Sequence, residues 1–173
     1  MNTYQCLNDM INDDERKQLL SQAMNIKMWS TKISDYRLEM DSGIKQLEIE
    51  GLIKKLVNRV NPTLKFFIAN FAKFTSNDYI VIHKDTDTVP GRSSNITWAL
   101  YPELKDYTPI QYWNDDKTFN EVVDFEKKPL IINTRKYHSV DNTSKYDRYC
   151  FQLCYYDPIE KLVDLDLQGK LFI

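Results

Sequence analysis

The 173-residue chain has no apolar run approaching the ~20 residues that a membrane-spanning helix needs. It also lacks a basic surplus. Lys and Arg number 23 against 25 Asp and Glu, a net charge of -2 that leaves no electrostatic footprint for non-specific nucleic-acid binding. The cluster Lys54, Lys55 and Arg59 lies on a helical pattern interrupted by apolar residues, so it reads as a solvated helix face. Cysteine is scarce: Cys6, Cys150 and Cys154. The last two, four apart in a strand-like run, stand roughly 13 Å apart at strand rise, too far for a disulfide. No second cysteine pair completes a zinc site. The opening "MNTYQCLNDMINDDERK" is acidic and without the basic and apolar regions of a signal peptide. Together these features predict a reduced, cytoplasmic protein with no membrane partner. Repeats and low-complexity stretches are absent, and the length suits a single domain over 1–173 that buries its own core.

The present residues change character near position 62. Before it, "DDERKQLLSQAM" opens on aspartates suited to a helix N-terminus, and "SGIKQLEIEGLIKKLVNRV" spaces its apolar residues as a helix would, up to Asn61-Pro62. Residues 1–62 are therefore predicted to be supporting helices. From 64 to 156 come about eight short aromatic and β-branched segments, from "LKFFIANFAKF" to "DRYCFQLCYY", parted by turn residues with no long helix between them. That pattern predicts antiparallel strands in a sandwich, barrel or jelly roll. The tail, 157–173, reads either as a docking helix or as a loosely held segment.

Histidine occurs only twice, and both copies fall in this strand region. In "IVIHKDTD", strand alternation places Tyr79, Val81, His83 and Asp85 on one face, so His83 and Asp85 can reach a common atom. His138 enters a later strand followed by "DNTSKY". A hairpin centred there would set it across from Arg148, with Cβ atoms roughly 5 Å apart. Two imidazoles and a carboxylate on one face, with coordination positions left open, form the facial triad of non-haem Fe(II) oxygenases. Arg148 adds a rigid fork for a carboxylate on a strand that is otherwise apolar to mixed. The alternative is an arginine paired with Asp141 or Asp147 at the strand's mouth.

"HKD", then His138, then an arginine ten residues on, resembles the Fe(II)- and 2-oxoglutarate-dependent oxygenases over residues 64–156. "GRSSNITWALYP" is similar to the strand that follows the first iron ligands in the prolyl-hydroxylase-like and aspartyl/asparaginyl-hydroxylase-like branches, including Arg92 nine residues after His83. The overall look is closest to small bacteriophage members, which would place the protein in a host cytoplasm. The resemblance implies a mainly β protein, a double-stranded β-helix (a jelly-roll, cupin-like core) with N-terminal supporting helices. It implies that His83, Asp85 and His138 hold Fe(II) and that Arg148 binds the distal carboxylate of 2-oxoglutarate. No catalytic residues are expected beyond the metal ligands. Asn95, Thr97 and Tyr79 are expected to contact the co-substrate, and Arg92, at the pocket mouth, the prime substrate. The stretches "TDTVPGRSS" and "YPELKDYTPIQYWNDDKTFN" are the expected lids. Repair oxygenases resembling the AlkB group carry a second arginine six residues after the first, where this chain has Cys154, a departure that argues against a nucleic-acid substrate.

The implied activity is a dioxygenase that consumes O2 and 2-oxoglutarate, releases succinate and CO2, and hydroxylates a protein side chain or a small molecule, with ascorbate as a stimulant. Two rival readings remain: a non-catalytic jelly-roll module that binds a metal or a carboxylate, and a cupin-like metalloenzyme independent of 2-oxoglutarate.

Overall fold

The β-branched and aromatic segments after residue 64 do pair as strands, as side chains that fit a pleated, half-buried surface should. The computed structural model describes residues 1–30, 43–85, 91–101, 110–123 and 128–173, with two short paired strands at Lys32–Ile33 (β2) and Tyr36–Arg37 (β3). From Phe66 onward the described strands are β5 (Phe66–Phe74), β6 (Asp78–His83), β7 (Ser94–Tyr101), β8 (Ile110–Trp113), β9 (Phe119–Val123), β10 (Leu130–Asn133), β11 (Tyr137–Asn142) and β12 (Arg148–Tyr155). Each coincides with one of the segments read from the sequence. Two further strands, β1 (Thr3–Gln5) and β4 (Gly43–Gln46), flank the larger sheet.

That sheet has the order β1-β10-β7-β12-β5-β4, and a second sheet has the order β6-β11-β8-β9; every pairing is antiparallel. Successive strands mostly alternate between the two sheets, so the chain winds as a double-stranded β-helix. Among the described strands from β5 to β12, only β8 and β9 are consecutive strands paired with each other. The predicted hairpin between β11 and β12 does not form: β11 pairs with β6 and β8, while β12 pairs with β5 and β7. The reason lies in the crossing. Asn142, fully buried, donates through Nδ2 to the carbonyls of Phe74 (2.9 Å), Thr75 (2.8 Å) and Tyr146 (3.0 Å), which turns the chain from one sheet to the other.

Two cores result. Between the larger sheet and the helices lie Trp98, Phe71, Phe151, Leu153 and Ile96 with Leu19, Leu56 and Leu162. Between the sheets lie Ala72, Phe74, Ile80, Ile110, Tyr112, Ile132 and Val140. β7 is therefore covered on both faces, which explains the burial of residues 94–100. Each fully buried large side chain contributes about 1.5–3 kcal/mol.

The first sixty residues are less helical than their periodicity suggests. Helix α1 (Asp13–Met24) starts as expected, with a capping box in which Asn12 Oδ1 accepts from Glu15 N at 2.9 Å and Glu15 Oε2 accepts from Asn12 N at 3.3 Å. The second predicted helix splits into strand β4 and a short helix, α2 (Gly51–Val57). Edge pairing with β5 wins over helix spacing here, reinforced by reciprocal 3.0 Å bonds between Ser30 and Ile44. Gly43 permits this approach, since a Cβ there would lie 2.7 Å from Ser30 O and from Trp29 Cβ. The tail is a docked helix, α3 (Ile159–Leu167), burying Ile159, Leu162 and Val163. Beyond it, Asn61 N donates to Leu171 O and Ile173 N to Arg59 O.

Candidate metal centre

β6 carries the first imidazole, and a β-bulge decides which way it points. In the β11–β6 register His138 faces His83 and Val140 faces Ile80, so Val81 and Ile82 together oppose the single residue Ser139. The extra residue reverses the side-chain phase. Tyr79 (55% exposed) and Val81 (40%) point outward, while Asp78, Ile80 and His83 point inward. The expectation that Tyr79 shares a face with His83 is thereby overturned, and with it the contact of Tyr79 with a co-substrate. Tyr79 instead lines a groove of about 530 Å³ on the outer face of the smaller sheet, with Trp113 and Lys117.

The structure brings His83, Asp85 and His138 together. Their ligand atoms all lie within 4.8 Å of one another, and all three residues are buried. His83 Nε2 is 3.2 Å and His138 Nε2 3.7 Å from Asp85 Oδ1, with ring centroids 4.4 Å apart. Each Nδ1 faces a backbone carbonyl, Val81 O at 2.8 Å and Lys136 O at 2.9 Å. A carbonyl only accepts, so each Nδ1 carries a proton and each Nε2 turns toward the carboxylate. Asp85 is held in turn by its N–H bond to Thr134 O (3.0 Å).

Electrostatics sharpen the picture. Burial alone would raise the Asp85 pKa, but Arg92 and the two imidazoles hold it well below the usual carboxylate range. Burial and the neighbouring His83 pull His138 down to about 4, so it is neutral at physiological pH. For His83, burial opposes the charged form, yet the hydrogen bond and charge of Asp85 outweigh it and raise the pKa. With His83 neutral, two nitrogen lone pairs and an anion converge on one point, an arrangement that calls for a cation between them. A proton shared by His83 and Asp85 satisfies part of this demand. A divalent ion satisfies all of it, and two imidazoles with one carboxylate suit iron of the facial-triad type. The Nδ1–carbonyl bonds are the outer contacts that fix the orientation of metal-binding imidazoles.

A cavity of about 60 Å³ opens beside the triad. Its apolar wall is Phe74, Ile80, Ile110, Ile132 and Val140; its polar wall is Arg92, Asn95 and Gln152. Asn95 and Thr97 are buried on the inner face of β7, as the alternation predicts. Thr97 Oγ1 accepts from Gln152 Nε2 at 3.4 Å and donates to Asn95 Oδ1 at 2.9 Å, which turns the Asn95 amide N–H groups away from Thr97. Gln152, a polar residue on the inward phase of β12, is the signal that sequence reading passed over.

The two arginines are not where the sequence suggested. Arg148 is 2% exposed, at the start of β12 on the same face as Gln152, with its guanidinium 5.3 Å from the centroid of the cavity-lining Phe74 ring. It reaches this region from the larger sheet, and not from across His138. Of its two suggested structural partners, Asp141 and Asp147, the second pairs with Lys73 at 3.3 Å. Arg92 does not stand at an open mouth. It is 7% exposed, with Nη2 3.1 Å from Asp85 Oδ2. Residues 86–90 and 102–109, which belong to the expected lids, lie outside the described residues.

No protein-family model matches the sequence, and no curated protein matches it. Its fold, however, is shared with solved structures. A 2OG-Fe(II) oxygenase family oxidoreductase from Burkholderia pseudomallei aligns with a TM-score of 0.64 at 9% identity, covering 89% of this chain and 85% of that one. A prolyl hydroxylase from Trichoplax adhaerens, solved with a peptide fragment of the hypoxia inducible factor oxygen degradation domain, gives 0.65 at 16% identity over 92% and 84%. SnoN, a non-heme alpha ketoglutarate dependent epimerase of nogalamycin biosynthesis, gives 0.68 at 11% identity over 90% and 76%. The chain has the jelly-roll fold of the 2OG-Fe(II) oxygenases.

Proposed function

We propose that this protein is an Fe(II)- and 2-oxoglutarate-dependent oxygenase. The observation that carries the reading is the buried convergence of His83, Asp85 and His138 beside an interior cavity, in a fold shared with such enzymes. Iron and 2-oxoglutarate, when bound, supply an oxidation in which O2 is consumed, the co-substrate leaves as succinate and CO2, and a carbon of the substrate is oxidised.

The chain's own residues do the rest. His83 and His138 offer Nε2 because their Nδ1 protons are committed to Val81 and Lys136. Asp85 offers Oδ1 and offsets part of the metal's charge. Arg148 takes the distal carboxylate of the co-substrate through its planar fork, since a buried guanidinium beside an apolar wall favours an anionic partner. Phe74, Ile80, Ile110 and Val140 line the cavity and would shield a bound co-substrate from water. Asn95, oriented by Thr97, would donate its amide N–H to a bound co-substrate.

The prime substrate is a protein side chain or a small molecule. One fold neighbour was solved with a peptide and another is an epimerase, and a shared fold does not fix the reaction. The deciding experiment measures succinate formed from 2-oxoglutarate with added Fe(II) and ascorbate, in wild type and Asp85→Ala. Turnover lost in Asp85→Ala supports the reading. A wild type that binds metal yet forms no succinate would make the protein a binding module or a metalloenzyme without this co-substrate.

A further inference from the structure

The two oxygens of Asp85 meet different partners. Oδ1 faces both imidazoles, at 3.2 and 3.7 Å, whereas Oδ2 faces Arg92 Nη2 at 3.1 Å. Behind Arg92 stands a second layer. Its guanidinium neighbours the buried Cys154 sulfur, and that sulfur accepts from Asn70 Nδ2 at 3.7 Å. Asn70, Arg92 and Cys154 are all buried, and they come from β5, the segment before β7, and β12. The backbone beside Arg92 is fixed as well, Ser93 N donating to Tyr155 O at 3.0 Å and Thr134 N to Ser93 O at 3.2 Å.

We propose that Arg92 is a positioning residue that confines Asp85 to one-oxygen coordination, and that Asn70 and Cys154 brace it for that task. The inference rests on the metal-centre reading above. A carboxylate beside a divalent ion can bind through one oxygen or both. If Asp85 used both, it would fill a position that an oxygenase must leave open for co-substrate or O2. Preventing this requires a competing hold on Oδ2, and a charge-assisted bond from a rigid fork supplies one. The choice of a cation is informative. A guanidinium so close to the ion weakens metal binding by like-charge repulsion, so a site built only for tight metal binding is better served by a neutral donor. Arg92 trades metal affinity for an open coordination face.

The test uses Co(II) as the metal probe and three variants: Arg92→Gln, Arg92→Lys and Cys154→Val. Co(II) affinity is measured by chelator competition, its ligand set by visible absorption, and 2-oxoglutarate uptake by titration of the Co(II) protein. Arg92→Gln is expected to bind Co(II) at least as tightly as wild type, to shift the Co(II) spectrum as Oδ2 joins the metal, and to bind 2-oxoglutarate roughly 10–100-fold more weakly. Arg92→Lys, which keeps the charge without the fork, should recover part of that loss. Cys154→Val should move in the same direction by less, and these two variants decide the matter if Arg92→Gln does not fold. An unchanged spectrum with unchanged 2-oxoglutarate affinity overturns the proposal. So does a fall in Co(II) affinity that tracks thermal stability, because a packing role cannot strengthen one ligand while weakening the other. If wild-type Co(II) protein takes up no 2-oxoglutarate, the oxygenase reading fails, while the spectra of wild type and Arg92→Gln still judge Arg92.

Discussion

Replacing Glu15 with glutamine tests how the helices are fastened to the barrel, with a magnitude that the structure sets. Glu15 is 5% exposed. It accepts from Arg59 Nη1 and Nη2, each at 2.7 Å, and from Lys55 Nζ at 3.2 Å, while closing the capping box of α1. Arg59 Nη1 also donates to Met10 O, so one guanidinium ties α1, α2 and the preceding turn together. The Arg59 hydrogen bonds hold the Glu15 carboxyl down at about 2, against an ordinary value of 4.5. A shift of that size corresponds to about 3 kcal/mol of folding stability. Lys55, 62% exposed at its side chain, contributes little to it. Because the folded pKa lies below the unfolded one, the contribution is complete above the unfolded value near 4.5 and disappears as pH falls toward 2. Urea unfolding of wild type and Glu15→Gln across this range provides the assay. The gap should be about 3 kcal/mol at pH 7 and should close as pH approaches 2. A gap that stays constant with pH, or one below about 1 kcal/mol at pH 7, would show that the pair behaves as an exposed surface bridge and refute the reasoning.

Arg148→Ala should weaken 2-oxoglutarate binding by about 2–5 kcal/mol with metal affinity retained, measured by anaerobic calorimetry; unchanged affinity would assign Arg148 to structure. Tyr79→Ala should leave co-substrate affinity within about twofold of wild type, because the bulge turns Tyr79 outward; a larger loss in the same titration would contradict that placement. Phe151→Ala empties the core between Trp98 and Phe71, with ring centroids 5.6 and 5.9 Å away, and should cost about 3–5 kcal/mol in denaturant unfolding.

Sequence and structure agree where local pattern and long-range pairing ask for the same thing. The strands from β5 to β12 were legible because aromatic and β-branched runs alternate with turn residues, and α1 because its capping residues and apolar spacing coincide. The misreadings share a cause. The β6 bulge is one unpaired residue with no glycine to announce it, yet it reverses the facing of Tyr79 relative to His83. The partner of β11 is set by the winding of the whole sheet pair, so a short turn such as "DNTSKY" looked like a hairpin until the Asn142 bonds showed a crossing. β4 was lost because edge pairing with β5 overrode helical spacing. The clustering of His83, Asp85 and His138 was legible by chemistry, since two histidines and a nearby carboxylate leave few combinations. Arg92 was misplaced because its position depends on tertiary closure against Asp85 and Cys154.

Since β6 lies at an edge of its sheet, with β11 as its one strand neighbour among the described residues, the proposed metal centre is built across a seam with an edge strand on one side. Amide exchange reports such seams, because an edge strand opens more readily than strands paired on both sides. Opening of β6 would carry His83 and Asp85 away from His138, so metal release and strand fraying become one event. An ion bridging His83 and His138 binds only the closed arrangement and must suppress that fraying by mass action. The amides of β6 and β11 should therefore exchange more slowly as metal is added, while those of β7 and β12, paired on both sides, change little. The lifetime of the holoprotein would then be a property of one strand's grip on its neighbour.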